Sequence, residues 1–372
     1  MRVGIDISPL TAARTGVGNY CYYLLRHMMG LDSSVAFRGF ASGTKPMALE
    51  ALEGRLPVRH LPIPTRALYK SWEWFHAPKV DSLLGGVDIY HATNYFLPPV
   101  KRAKRVLTIH DLAFLAVPEL CSPRIVGPFS EAVRRYAPHA DRIMAYSEST
   151  RRDIVKYLDL PAERISVAPM AVDEAFQPVS LEEAQTTLKS KYGIESPFLL
   201  FVSTIEPRKN VVGLLRAFEQ VLVDIPHNLV MIGSIGWNAE DAVALMESPR
   251  LKPRIIRPGF VPHMELPPFY CAADAFVFPT HYEGFGLPLL EALTCGCPVV
   301  SADNSSVKEV VGEAALLSNS HDTAAIAENI RRIVSDAALR EELRAKGHEQ
   351  ALKFSWDDCA RVTLDSYQEV LG

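Results

Sequence analysis

Two doubly wound α/β domains are the fold this sequence predicts, and three observations carry that expectation. Apolar runs of strand length alternate with helix-length stretches along the chain, the pattern of parallel sheets covered by helices. Runs such as Phe198-Leu199-Leu200-Phe201-Val202 are apolar on both alternations, as strands buried on both faces must be. At 372 residues the chain exceeds what one ordinary core organises.

The first series predicts strands near Val3–Ile7, Val35–Phe40, Val87–Tyr90, Arg105–Ile109, Arg142–Ala145 and Ile165–Val167. Periodicity is lost over Val172-Asp173-Glu174-Ala175-Phe176-Gln177-Pro178, which places the domain join there, within Met170–Pro178. The second series predicts strands near Phe198–Val202, Leu229–Ile232, Arg254–Ile256, Ala275–Phe278, Pro298–Ser301 and Ala314–Leu317. From about Asp322 the pattern is helical, broken at Phe354-Ser355-Trp356-Asp357-Asp358, where Ser355 can cap a last helix.

Composition narrows the function classes. Hydrophobic content of 48% and charged content of 22% are those of a globular protein, and no apolar run reaches membrane-spanning length. The chain opens directly on a strand pattern, leaving no room for a signal peptide. The six cysteines (Cys21, Cys121, Cys271, Cys295, Cys297, Cys359) make no metal-binding cluster and read as free thiols of a reducing cytoplasm. The net charge of −4 conceals an asymmetry: residues 1–175 carry 22 Lys+Arg against 17 Asp+Glu, and the remainder is acidic. That points to an anionic partner for the first half, or to a charge distribution without consequence; no nucleic-acid motif accompanies it.

The richest stretch is His281-Tyr282-Glu283-Gly284-Phe285-Gly286-Leu287-Pro288-Leu289-Leu290-Glu291. A buried strand precedes it, then a glycine turn, then a helix. In an open α/β sheet that order puts Glu283 at the carboxyl edge, where ligands bind, with a helix N-terminus aimed at the same place. Glu291 falls in a helix apolar nearly all round, so its carboxylate needs a hydrogen-bonding partner, a role that suits a diol such as ribose. The plainer alternatives are a solvated turn acid at 283 and a capping or ion-paired acid at 291.

Three further constellations sit after strands. Thr15-Gly16-Val17-Gly18-Asn19-Tyr20 follows the first strand; its two glycines allow close backbone approach to an anion, or form a bare turn. A third glycine is missing at Cys21 and no acid ends the second strand, which disfavours NAD. Ser203-Thr204-Ile205-Glu206-Pro207-Arg208-Lys209-Asn210 sets two cations at a helix N-terminus, where they oppose the macrodipole unless an anion binds; solvated surface charges are the alternative. Leu107-Thr108-Ile109-His110-Asp111 ends a strand in groups that can bond sugar hydroxyls or polarise a leaving group, or serve as a core histidine with a capping aspartate. The basic and aromatic segment 66–79, with Lys101-Arg102-Ala103-Lys104-Arg105, suits an anionic membrane surface or a core flanked by solvated lysines.

Together these motifs resemble the GT-B glycosyltransferases of family 4, the large retaining group, over essentially the whole chain. Glu283 and Glu291 match the family's E-x7-E motif, and Glu206-Pro-Arg-Lys-Asn210, Thr15-Gly-Val-Gly-Asn19 and Thr108-Ile-His-Asp111 match its other signatures. The sub-type is similar to bacterial mannosyl- and rhamnosyltransferases of O-antigen and exopolysaccharide synthesis.

The resemblance implies two Rossmann-like domains facing across a cleft. Residues 1–173 would be the acceptor side, with the helix 357–372 crossing back to it, and residues 174–356 the nucleotide-sugar side. It further implies that Glu291 binds the ribose and Glu283 the 3- and 4-hydroxyls of the donor sugar. Phe285, Gly286 and Leu287 would offer amides to phosphate and sugar. Arg208 and Lys209, beside Glu206, would neutralise the departing diphosphate. Gly16 and Gly18 would line the diphosphate and acceptor side, His110 would touch the sugar near its 6-position, and the base would stack near Gly259-Phe260-Val261.

The implied activity is retaining transfer of a hexose, mannose from GDP-mannose, to a lipid-linked or glycan acceptor at the inner membrane face. It needs no cofactor or metal, because cations and helix ends replace one. One departure stands out: Ser203-Thr204 replaces a Gly-Arg pair common among relatives. The rival functions are a phosphorylase or sucrose-type synthase of the same fold, and a non-catalytic nucleotide-sugar-binding protein.

Overall fold

The computed structural model describes residues 1–11, 16–44, 56–174, 176–195 and 197–372. The chain divides into two compact units. The first comprises Met1–Ala116, Arg124–Met170 and Ser355–Gly372; the second comprises Val117–Pro123 and Ala171–Phe354.

In the first unit the strands are β1 (Arg2–Asp6), β2 (Ala36–Ser42), β3 (Val58–Leu61), β4 (Ile89–Ala92), β5 (Lys104–Thr108), β6 (Arg142–Ala145) and β7 (Ile165–Val167). They form one parallel sheet in the order β3-β2-β1-β4-β5-β6-β7. The strand order reverses between β1 and β4, the point where ligands enter such sheets. β3 was not expected from the sequence. It is an edge strand, and Val58-Arg59-His60-Leu61 is only partly buried, so it lacks the apolar run that marked its neighbours.

The second unit holds β8 (Phe198–Val202), β9 (Asn228–Ile232), β10 (Ile255–Ile256), β11 (Ala275–Phe278), β12 (Val299–Ala302) and β13 (Ala315–Ser318). They also run parallel, in the order β10-β9-β8-β11-β12-β13, with the reversal between β8 and β11. All residues of β8 and β11 are buried, which explains why both were legible as unbroken apolar runs.

Local chemistry starts the terminal helices where the sequence placed them. The Asp322 side chain accepts from the Ala325 amide ahead of helix Thr323–Ser335, and Ser355 accepts from the Asp358 amide at 3.0 Å ahead of helix Trp356–Leu371. That last helix packs on helix Gly16–Leu31 of the same unit: Trp356 stacks on Tyr23 with ring centres 5.4 Å apart, and His27 Nδ1 lies 2.7 Å from Asp357.

A buried polar chain crosses the core of the first unit. His91 on β4 meets Thr108 of β5 through Nε2 at 2.7 Å and Tyr367 of the last helix through Nδ1 at 2.6 Å; Thr108 also meets the Tyr20 hydroxyl at 3.1 Å. Burial, and then the neighbouring His110, pushes the His91 imidazole down to about 3. Between that value and the ordinary histidine range the unfolded chain binds a proton that the folded chain refuses. This contribution to stability is therefore whole above the ordinary range and is lost as pH falls toward 3. In thermal unfolding the share owed to His91 should approach ~1.4 kcal/mol lost per pH unit below about pH 6.5. His91→Gln should flatten that slope, and an unchanged slope would remove His91 from the account.

Candidate functional site

At the reversal point of the second sheet, the segments leaving β8 and β11 carry the charged residues that the sequence singled out. β8 leads through Ser203–Glu206 into a 3-10 turn, Pro207–Lys209, and then into helix Val211–Val221. Asn210 joins the two with a left-handed backbone, φ 53°. Its side-chain oxygen accepts from the Gly213 amide at 3.2 Å, and its amide donates to the carbonyls of Pro279 and Ser320 at 2.9 and 2.6 Å. One asparagine thus caps a helix and ties the β8 exit to the β11 exit. A Cβ at Gly213 would stand 2.3 Å from the Asn210 side-chain oxygen, so this helix turn must be a glycine for the cap to fit.

The cations are not solvated. Lys209 Nζ lies 2.5 Å from Glu283 Oε1, and Arg208 reaches Glu283 Oε2 at 3.5 Å, Glu206 at 3.0 Å and the Tyr282 carbonyl at 2.9 Å. Side-chain exposure is 10% for Lys209, 18% for Arg208 and 8% for Glu283. Lys209 also stands over the Phe278 ring, 5.3 Å from its centre. Burial would raise the Glu283 pKa, but the Lys209 and Arg208 charges and the Lys209 and Thr280 hydrogen bonds hold it below the ordinary carboxylate range. Burial, then the Arg208 charge, holds Lys209 below the usual lysine range, with Glu283 opposing both.

Glu283 is fixed by more than charge. The Thr280 hydroxyl lies 3.1 Å from its Oε1, its amide donates to Ser305 Oγ at 2.9 Å, and Ser306 Oγ donates to the carbonyls of Glu283 and Phe285 at 2.9 and 2.8 Å. Gly286 then turns with φ 101°, where a Cβ would also stand 3.0 Å from Leu289, and helix Leu287–Thr294 begins. Pro288 has no amide and the Leu289 and Leu290 amides donate to the Gly286 carbonyl at 2.9 and 3.4 Å, so what this helix start can offer an anion is the Leu287 amide and its dipole.

Glu291 lies in that helix with a side chain 5% exposed. Its oxygens are met from within the protein: Oε1 stands 2.9 Å from His263 Nε2 and Oε2 accepts from the Tyr270 hydroxyl at 2.9 Å. The demand for a hydrogen-bonding partner is thus met first by two side chains that the sequence did not reveal. They lie 28 and 21 residues away, and no local pattern links them to Glu291. In the loop before His263, Val261 is buried while the Phe260 ring is 89% exposed.

In the first unit, His110 follows β5 among the rings of Tyr20, Tyr95 and Tyr146, with centres 5.8, 5.4 and 5.3 Å away. Its Nδ1 pairs with the Tyr146 hydroxyl, and its Nε2 is buried without a hydrogen-bond partner of good geometry. Burial pushes the imidazole down to about 4, against the Thr93 carbonyl, so the ring is neutral at pH 7. Asp111 takes the capping role: Oδ1 accepts from the Ala113 amide at 3.0 Å.

Of the two readings left open for Gly16 and Gly18, the bare turn falls: they occupy the opening of helix Gly16–Leu31, whose buried face of Tyr20, Cys21, Leu24, Leu25 and Met28 carries the helical period back to them. Thr15 of the same motif lies outside the described residues.

The buried cluster makes a testable energetic statement. Removing one partner of a buried ion pair strands the other, so Lys209→Met should lower stability by about 3 kcal/mol. Adding Glu283→Gln should recover part of the loss. Losses that simply add in thermal unfolding would show the pair to be uncoupled.

Comparison with known proteins gives this arrangement a family. The model described as glycosyltransferase family 4 matches residues 14–176, and that described as glycosyl transferases group 1 matches residues 184–350. The chain is 34% identical over 282 residues to the Escherichia coli O-antigen chain mannosyltransferase B, covering 75% of this chain and 74% of that protein. It is 32% identical to an Escherichia coli serotype-specific mannosyltransferase WbdA over 72% of this chain, but spans about a third (34%) of that longer protein. Among solved structures, sucrose-phosphate synthase from Thermosynechococcus elongatus superposes with TM-score 0.77 at 20% identity, covering 99% of this chain and 98% of that one. Anabaena HepE in complex with UDP-glucose does so with TM-score 0.75 at 17% identity, over 99% of this chain and 100% of its own. With the two parallel sheets, these likenesses show the GT-B fold, and the sequence matches place the chain among the family 4 glycosyltransferases.

Proposed function

We propose that this glycosyltransferase moves mannose from GDP-mannose to a lipid-linked or glycan acceptor, with retention at the anomeric carbon. The observation that carries the reading is Glu283, a buried ionised carboxylate held by Lys209 and Arg208 at the reversal point of the second sheet. The likeness to O-antigen mannosyltransferases supports mannose as the sugar.

In this reading the second unit takes the donor. Glu291 accepts from the ribose hydroxyls and the exposed Phe260 ring, next to Val261, offers a face to the base. Glu283 accepts from the sugar hydroxyls, and the amides of Phe285, Gly286 and Leu287 approach phosphate and sugar. Lys209 and Arg208, the latter braced by Glu206, meet the diphosphate as the bond to the anomeric carbon breaks. The acceptor hydroxyl attacks on the face the diphosphate leaves, and a leaving phosphate oxygen takes its proton. Glu283 is unsuited to act as a nucleophile, because its oxygens are held by two cations. Metal is not needed, since side-chain cations and a helix N-terminus supply the positive charge. His110, neutral and with Nε2 unfilled, accepts or donates one bond to the sugar near its 6-position. Gly16 and Gly18, at the start of their helix, line the acceptor side with the first unit.

Membrane contact at the inner face belongs to the same proposal. Among the described residues no helix is long and apolar enough to cross a membrane. Helix Thr65–Phe75 ends in Trp74 and Phe75, exposed by 65% and 72%, with the Lys70 ammonium 5.8 Å from the Trp74 ring centre. Exposed aromatics with a nearby cation suit an anionic interface.

Glu283→Gln should lower turnover at least ~100-fold while nucleoside diphosphate affinity stays within a few-fold, as expected when a lost contact acts mainly in the transition state. Unaltered turnover would end the assignment. A thermal-shift comparison of GDP, UDP, ADP and dTDP should single out GDP, because a ligand of the folded state raises its stability. A response to another base alone would replace the donor. Vesicles containing phosphatidylglycerol should sediment the wild type but not a Trp74→Ser, Phe75→Ser variant; equal sedimentation would dismiss the membrane face.

A further inference from the structure

The ribose assigned above to Glu291 meets a carboxylate that the protein has already engaged once on each oxygen. An ionised carboxylate has about four lone-pair sites, two on each oxygen. The Tyr270 hydroxyl takes one on Oε2 and His263 Nε2 takes one on Oε1, each at 2.9 Å. One site on each oxygen remains, which is what two adjacent hydroxyls of a ribose require. A carboxylate can only accept, so His263 Nε2 must carry a proton and donate it.

Both donors are themselves held. Phe176 is fully buried and packs on each, with ring centres 4.6 Å from His263 and 6.1 Å from Tyr270. Tyr270 belongs to helix Pro267–Ala272 and is fully buried; His263 opens the short turn His263–Glu265. The His263 side chain retains 33% exposure while Glu291 keeps 5%, so the imidazole is the more open member of the pair.

We infer that His263, together with Tyr270, is a positioning residue that fixes the plane of the Glu291 carboxylate and thereby makes the enzyme select a nucleotide with a ribose diol over its 2′-deoxy counterpart. The inference rests on the reading of Glu291 as the ribose ligand. Neither donor needs to touch the nucleotide. Without His263 the carboxylate turns about its last torsion, its free oxygen turns to water, and the fit to two hydroxyls is lost.

Calorimetry tests this on the full chain with three pairs of probes: GDP, UDP and ADP against their 2′-deoxy forms, with inorganic pyrophosphate as a ligand that has no ribose. Wild type should favour the ribo form of the pair it binds by roughly tenfold, the value of one hydrogen bond to a charged group. His263→Ala and Tyr270→Phe should each narrow that ratio several-fold and leave pyrophosphate affinity unchanged. His263→Gln, which can restore an N–H donor, should recover it. A fault in folding alone would weaken pyrophosphate as well. If wild type shows no preference, or Glu291→Gln keeps it, the ribose assignment itself fails. If Glu291→Gln abolishes the preference while His263→Ala and Tyr270→Phe retain it, the assignment stands and the positioning role is overturned.

Discussion

Two adjacent cations, buried Lys209 and partly buried Arg208, converge on Glu283, with Glu206 bracing the arginine, and the carboxyl edge of the second sheet is organised around that cluster. Burying these charges is costly, and the cost is tolerable only where geometry and further hydrogen bonds are complete. The surroundings supply that completeness. Asn210 locks the two strand exits together, Thr280 and Ser305 bond the acid and its amide, and Ser306 holds the carbonyls on either side of Gly284. A site so constrained keeps its charges in place before any ligand arrives, which is what electrostatic stabilisation of a departing diphosphate requires.

The two carboxylates of the Glu283–Glu291 segment are held in different ways, and that difference supports the division of roles proposed for them. Glu283 is paired with cations, so the charge it presents is already compensated, and in the proposed role a sugar hydroxyl would meet a fixed acceptor. Glu291 is held by neutral or weakly basic donors, a phenol and an imidazole, and keeps acceptor capacity free. In the first unit His110 has one nitrogen anchored on Tyr146 and the other buried without a hydrogen-bond partner of good geometry.

Much of the fold was legible because the parallel strands are buried on both faces and so write unbroken apolar runs. β8 and β11 illustrate this, and β3 shows the limit: a half-exposed edge strand carries no such run. The charged positions of the second unit were legible because each follows a strand in sequence. Their partners were not. Tyr270 and His263 act through contacts across the fold, and Tyr270 reads locally as a core aromatic; Asn210 stands in a quoted motif, but its bonds to the Pro279 and Ser320 carbonyls span the fold. For the glycines at 16 and 18 the sequence left open a close approach to an anion or a bare turn; the apolar face beyond them carries the helix back to Gly16 and removes the bare turn.

In the proposed function Arg208 and Lys209 receive the diphosphate while Glu291 receives the ribose. A crystal structure of the chain grown with GDP tests it most directly. Phosphate oxygens should lie within hydrogen-bond distance of the Lys209 ammonium or the Arg208 guanidinium, and both ribose hydroxyls on Glu291 with His263 and Tyr270 still in place. A nucleotide whose diphosphate avoids both cations, or whose ribose turns away from Glu291, would contradict it.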